Sequence, residues 1–248
     1  MKLGHLGAVA TAAVIAVGVV MAAGPAYMHT VNYYRAPPVM LSFSVINGSN
    51  APEWCNELAS VLAEHKVKAA VFVTGQVAEQ HPECVRSFAS QGIDVGSQTY
   101  GYVNLTSVDD YLDALEEVRQ GKSAVDKAGK IDSRLFRAPY GETDQNIYSL
   151  LSSSNITADF SYDNQYNKFE GGQFIRYDLV TCDCDNLSPD AVTRLLEAGQ
   201  PVMVEFGNSV PVSNINGFIT ALKSDDRVRF VSASELVGQD LTVMGVST

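Results

Sequence analysis

The chain has 248 residues, 46% of them apolar and 18% charged, which suits one domain with a sizeable core. Its net charge of −11 excludes a nucleic-acid binder that works through a basic face, and it disfavours docking on anionic lipid. A neutral polymer is an easier partner for such a surface.

Lys2 precedes an apolar, uncharged run from Leu6 to Ala23, followed by small residues around Gly24, Pro25 and Ala26. Residues 1–26 therefore read as a secretory signal. An uncleaved anchor is the alternative, because about 18 residues just reach spanning length. Residues 27–38, with Pro37 and Pro38, read as a linker, 39–240 as the folded domain and 241–248 as a tail. An exported protein meets oxidising conditions, which suits Cys55, Cys84, Cys182 and Cys184. Cys55 and Cys84 fall near predicted helix starts and are the favoured bridge. Cys182 and Cys184 read better as two residues on one strand face than as metal ligands. Asn47, Asn104, Asn155 and Asn186 head glycosylation sequons.

Residues 39–45 read as a first strand, and 52–65 as a helix with Trp54, Leu58, Val61 and Leu62 on one side. Strand 68–74 leads to a helix over 78–90, and strand 93–98 to the loop 99–105. Ser107 is expected to cap a long helix with Val108, Tyr111, Leu112, Leu115 and Val118 inward. Strand 134–137 precedes helix 144–153, and strands 159–162 and 174–181 flank a polar insertion at 164–172. A helix opened by Ser188-Pro189-Asp190, strand 201–206, helix 215–223 and a last strand 227–231 complete the chain. Strict alternation implies a parallel sheet, open or closed into a barrel.

Phe136-Arg-Ala-Pro-Tyr-Gly141 ends one of these strands. Proline cannot donate to a ladder and glycine permits unusual backbone angles, so the segment forms a rigid corner where α/β barrels build sites. With residues 41–48, 68–75, 94–106 and 230–236 in order, it resembles the polysaccharide deacetylases. These are the NodB-homology, family 4 carbohydrate esterases that include chitin deacetylases. The resemblance covers roughly residues 39–237 and implies a distorted (β/α) barrel with a polysaccharide groove at the strands' C-terminal ends.

Family members use a divalent metal such as zinc or cobalt to polarise an amide carbonyl and acidify water, with a carboxylate base and an acid for the leaving amine. Position by position, the two motif-one aspartates fall on Ser44 and Val45, and the motif-two histidines on Gln98 and Tyr102. Arg137, Pro139, Tyr140 and Gly141 match the third motif, Asp163 is the fourth-motif match, and Glu205 stands near the acid position. His5, His29, His65 and His81 form no His-x-x-x-His pair. The metal positions Val45, Gln98 and Tyr102 carry no charge, so no cofactor is expected.

The resemblance therefore implies a secreted, catalytically inactive deacetylase-like protein, at a cell or spore wall, binding chitin or another neutral polysaccharide. The membrane enters only through an uncleaved leader. The alternatives are an active deacetylase of chitin oligosaccharides rebuilt around Asp163, Glu205 and Arg137, and an interaction protein that keeps only the fold. Tyr100, Tyr102 and Tyr140 line a groove or fill the volume of the metal site. Arg137, deprived of a partner at Ser44, is expected to pair with Glu205 or Asp163.

Overall fold

Apolar residues fill β1 (Pro38–Val45) almost without a break, as a strand covered on both faces requires. The computed structural model describes residues 37–48, 50–161, 164–183, 188–197 and 199–245. The signal, most of the linker and Asp163 lie outside them. Val39, Leu41, Phe43 and Val45 of β1 face an outer hydrophobic cluster shared with the helices. Met40 faces an inner one with Phe72, Leu135, Phe160 and Met203. Ser42 and Ser44 share the inward phase, since strand side chains alternate.

Around β1 run α1 (Ala51–His65), β2 (Ala69–Val73), α2 (Gly75–Gln80), α3 (Pro82–Ala89), β3 (Asp94–Ser97) and α4 (Tyr111–Gly129). Then follow β4 (Ile131–Ser133), β5 (Leu135–Phe136), α5 (Gln145–Ser153) and β6 (Ala158–Asp159). The second half adds β7 (Gln165–Glu170), β8 (Gln173–Asp178), β9 (Val180–Asp183), α6 (Pro189–Glu197), β10 (Val202–Gly207) and α7 (Val212–Lys223). It ends with β11 (Arg229–Phe230), α8 (Ala233–Val237) and β12 (Thr242–Met244). One sheet runs β8-β7-β6-β5-β3-β2-β1-β10-β9, with β11 beside the start of β1. Asn164, at the mouth of β7, accepts from Leu179 N and its side chain from Thr181 N, at 3.2 and 3.1 Å. These bonds tie the entry to β7 to the start of edge strand β9, in a nearly closed, distorted (β/α) barrel. No helix among the described residues is long and apolar enough to cross a membrane.

The Cys55–Cys84 disulfide pins α1 to α3 with Cα atoms 5.2 Å apart. Cys182 is also disulfide-bonded, so it offers no free thiolate to a metal.

Several local expectations are corrected. The helix expected over 78–90 is two helices, because Pro82 has no N–H to continue the ladder and starts α3 afresh. Asp110, not Ser107, caps α4: its Oδ1 accepts from Leu112 N at 2.7 Å and Asp113 N at 3.3 Å. Tyr111 and Leu112 are 48% and 69% exposed, while Ala114, Val118, Gly121, Val125 and Ala128 face inward. The small residues win because α4 lies almost in contact with backbone: a Cβ on Gly121 would stand 2.4 Å from the Thr99 carbonyl carbon. The polar insertion is strand β7, which forms an antiparallel hairpin with β8 across Gly171 and Gly172, whose φ values are 58° and 92°. The strand expected over 227–231 is present as the short β11, but it is not the last: β12 follows, antiparallel to β4.

Candidate functional site

Parallel pairing sets the inward residues of neighbouring strands side by side: Ser42 opposite Glu205, and Ser44 opposite Phe72 and Gly207. Arg137 follows β5 in the inward phase of Leu135, and its backbone N donates to Ser97 O at 3.1 Å. Its guanidinium forms an ion pair with Glu205 through Nη2, donates from Nη1 to Ser42 Oγ at 3.1 Å and lies 5.9 Å from the Phe72 ring centre. Arg137 is buried and Glu205 half-buried, so the charges neutralise each other inside the barrel. Of the two expected partners, Glu205 is the one among the described residues, and it pairs with Arg137.

A second contact joins Ser44 and Gln98. Ser44 Oγ donates to Gln98 Oε1 at 3.1 Å, and Gln98 Nε2 donates to Phe72 O at 2.8 Å. Both ends of the buried amide are thereby occupied. Val45 is not brought to this group; its side chain is fully buried in the outer cluster, on the opposite strand face.

The loop after β3 is tightly held. Gly75 N and Gln76 N, at the start of α2, donate to Thr99 O and Tyr100 O, both at 3.0 Å. Glu117 Oε2 accepts from Tyr100 N and Gly101 N at 3.1 and 2.9 Å, and Thr99 Oγ1 accepts from Val103 N at 3.1 Å. Tyr100 turns away from the neighbouring tyrosines, its hydroxyl donating to Glu79 at 2.8 Å. Tyr102 and Tyr140 meet instead, ring centres 5.0 Å apart and planes inclined at 57°.

The Pro139-Tyr140-Gly141 corner rests on a pair, Asp159 and Ser161, that no motif singles out. Ser161 Oγ donates to Asp159 Oδ1 and accepts from Ala138 N at 2.7 Å. A Cβ on Gly141 would stand 2.7 Å from Ser161 O, and Gly141 has φ 69°. Burial pushes the Asp159 carboxyl up to about 6, opposed by hydrogen bonds from Ser161 and Asn167 and by the Arg137 charge. The available signal was a carboxylate at a strand position between apolar Ala158 and Phe160; Asp163, the fourth-motif match, lies outside the described residues.

A hard divalent cation needs several oxygen or imidazole donors with net negative charge. Family members are generally metal-dependent, yet the residues here do not fit such an ion. Val45 is a hydrocarbon on the far face, Gln98 is committed at both ends, and Glu205 is neutralised by Arg137. Among the described residues no three His, Cys, Asp or Glu side chains gather to hold a metal.

A strand barrel whose C-terminal rim gathers Ser44, Gln98, Tyr102, Arg137, Tyr140 and Glu205 is an α/β-barrel protein of the carbohydrate-esterase type. Residues 32–158 match the polysaccharide deacetylase family, and the chain belongs to it. It is 24% identical over 173 residues to a peptidoglycan-N-acetylglucosamine deacetylase of Bacillus cereus, covering 68% of this chain and 56% of that protein. It is 31% identical over 124 residues to a chitooligosaccharide deacetylase of Sinorhizobium fredii, covering 50% of this chain and 56% of the relative. The chain thus spans little more than half the length of these two relatives. In fold it resembles a family 4 carbohydrate esterase from Streptomyces lividans, with TM-score 0.61 and 20% identity over 85% of this chain and 98% of the other. A family 4 pseudoenzyme from Bacillus anthracis has TM-score 0.61 and 16% identity over 82% of this chain and 66% of the other.

Proposed function

We propose that this chain is a secreted, non-catalytic member of the polysaccharide deacetylase family that binds a neutral N-acetylated polysaccharide at a cell or spore wall. The observation that carries this reading is the state of the motif positions. Ser44 and Gln98 bond to each other, Val45 belongs to the outer core, Tyr102 packs on Tyr140, and Glu205 is held by Arg137. Base, metal ligands and acid are replaced together, and the replacements satisfy one another. The family's fold is kept, down to the Pro-Tyr-Gly corner.

Relatives support both halves of the reading. The Bacillus cereus and Sinorhizobium fredii proteins are named for N-acetylated glycan substrates. The Bacillus anthracis fold neighbour is described as a pseudoenzyme, and a mutant of it as having restored enzymatic activity. Export is supported by the leader-like residues 1–26 and by the Cys55–Cys84 disulfide.

The test is acetate release from N-acetylglucosamine oligomers with zinc or cobalt added, beside an active relative, together with sedimentation on insoluble chitin and peptidoglycan. The expected result is binding without turnover. Metal-dependent acetate release at the relative's rate would overturn the non-catalytic reading in favour of a rebuilt active site.

A further inference from the structure

Seven described non-glycine residues have positive φ. Lys66 and Lys130 are helix C-caps, and Asn155 and Asn164 belong to the residue type that tolerates this region best. That leaves Thr99, Tyr102 and Tyr140, with φ of 63°, 61° and 61°, all in the two loops at the site. Strain of this kind persists only where surroundings impose it. Here Glu117 and the start of α2 hold one loop, and Ser161 holds the other.

The strained backbones bring two aromatic rings together at the rim, and Tyr140 remains 66% exposed. Beside the rings the same two loops are tied by polar groups. Asn104 Nδ2 donates to Glu142 Oε2 at 2.7 Å, and Thr106 Oγ1 donates to the same oxygen at 3.1 Å. An exposed carboxylate with amide and hydroxyl neighbours beside rigid aromatic faces matches the two surfaces of a pyranose: apolar C–H face and polar hydroxyl edge.

We infer that Tyr102 and Tyr140, flanked by Glu142 and Asn104, form a sugar-stacking site for one ring of a neutral pyranose oligomer. Tyr102 stands where the family pattern has a metal-binding histidine, so a ligand position has become a contact surface. The occupant is neutral because Glu142 and the overall charge of −11 repel acidic glycans. This rests on the glycan-binding reading above and assigns it a place.

The test is calorimetric titration of the full chain with hexamers of N-acetylglucosamine, of glucose and of galacturonate. Tyr140→Ala, Tyr102→Ala, Tyr140→Phe and Tyr102→Phe are compared with Tyr111→Ala, an exposed tyrosine elsewhere. The neutral hexamers are expected to bind the parent, and Tyr140→Ala to weaken binding about tenfold or more, as for an aromatic ring covered by its ligand. The Phe variants keep the ring face and should stay within about threefold, as should Tyr111→Ala. Because Tyr140 is exposed, its variants test the idea even where Tyr102→Ala fails to fold. If the parent binds and Tyr140→Ala binds equally well, this site is wrong while the glycan-binding reading stands. If the parent binds none of the hexamers, the glycan-binding reading itself fails. Preference for galacturonate would overturn the neutral-ligand assignment.

Discussion

Replacing Arg137 with methionine keeps an apolar stem over the Phe72 ring but leaves the Glu205 carboxylate facing Ser42 without its cation. Removing one partner of a buried ion pair costs about 3–5 kcal/mol, because the remaining charge stays desolvated. The Glu205 side chain retains 20% of its exposure and Arg137 10%, so water relieves part of that penalty and about 2–4 kcal/mol is expected. In a domain of this size each kcal/mol shifts Tm by about 2–4 °C, giving a fall of roughly 5–15 °C by calorimetry. The double variant Arg137→Met/Glu205→Leu should lose clearly less than the sum of the two single changes, since no charge is then orphaned. An Arg137→Met protein as stable as the parent, or additive losses in the double variant, would refute the idea that this pair has become the structural centre of the old catalytic site.

Three further outcomes are expected. For Asp159 the folded value of about 6 lies above an unfolded carboxyl near ~3.9, so the fold favours the protonated form. The stability this adds is complete below about pH 4 and lost as pH rises through about 6, amounting to at most about 3 kcal/mol; Asp159→Asn should remove that slope from urea titrations, and matching profiles would contradict it. Gly121→Ala drives a Cβ to 2.4 Å from the Thr99 backbone, which cannot yield as a side chain would. It should cost about 1–3 kcal/mol and weaken glycan binding by displacing the Tyr102 loop; an unchanged Tm would show that α4 shifts freely. Replacing both Cys55 and Cys84 by alanine opens a loop closed across 29 residues and should lower unfolding free energy by about 3–4 kcal/mol, read from denaturant midpoints.

Much of the barrel was legible because buried parallel strands are written as short apolar runs between helical patterns, and residues 39–45, 68–74 and 201–206 are such runs. The Pro139-Tyr140-Gly141 corner was legible too, since proline and glycine constrain the backbone locally. Strand β7 was not: of Gln165–Glu170 only Tyr166 and Phe169 are apolar, so the segment reads as a polar insertion. The inward face of α4 was legible at Leu115 and Val118, and at Val108 just before it, but not at its small residues. Hydrophobic spacing selects Tyr111 and Leu112, but close approach to Thr99 selects Gly121 and its small neighbours.

The sequence determines that Ser44, Val45 and Gln98 carry no charge, because no folding can turn these side chains into charged donors. What these residues contact was settled only in three dimensions. Arg137 and Glu205 are 68 positions apart in sequence. Ser42 meets Glu205 only through the β1–β10 register, and Asp159 reaches the Pro-Tyr-Gly corner only through Ser161. Tyr102 and Tyr140 come together because a strained backbone in each loop is held from behind, and such strain is a property of surroundings that no local sequence pattern records.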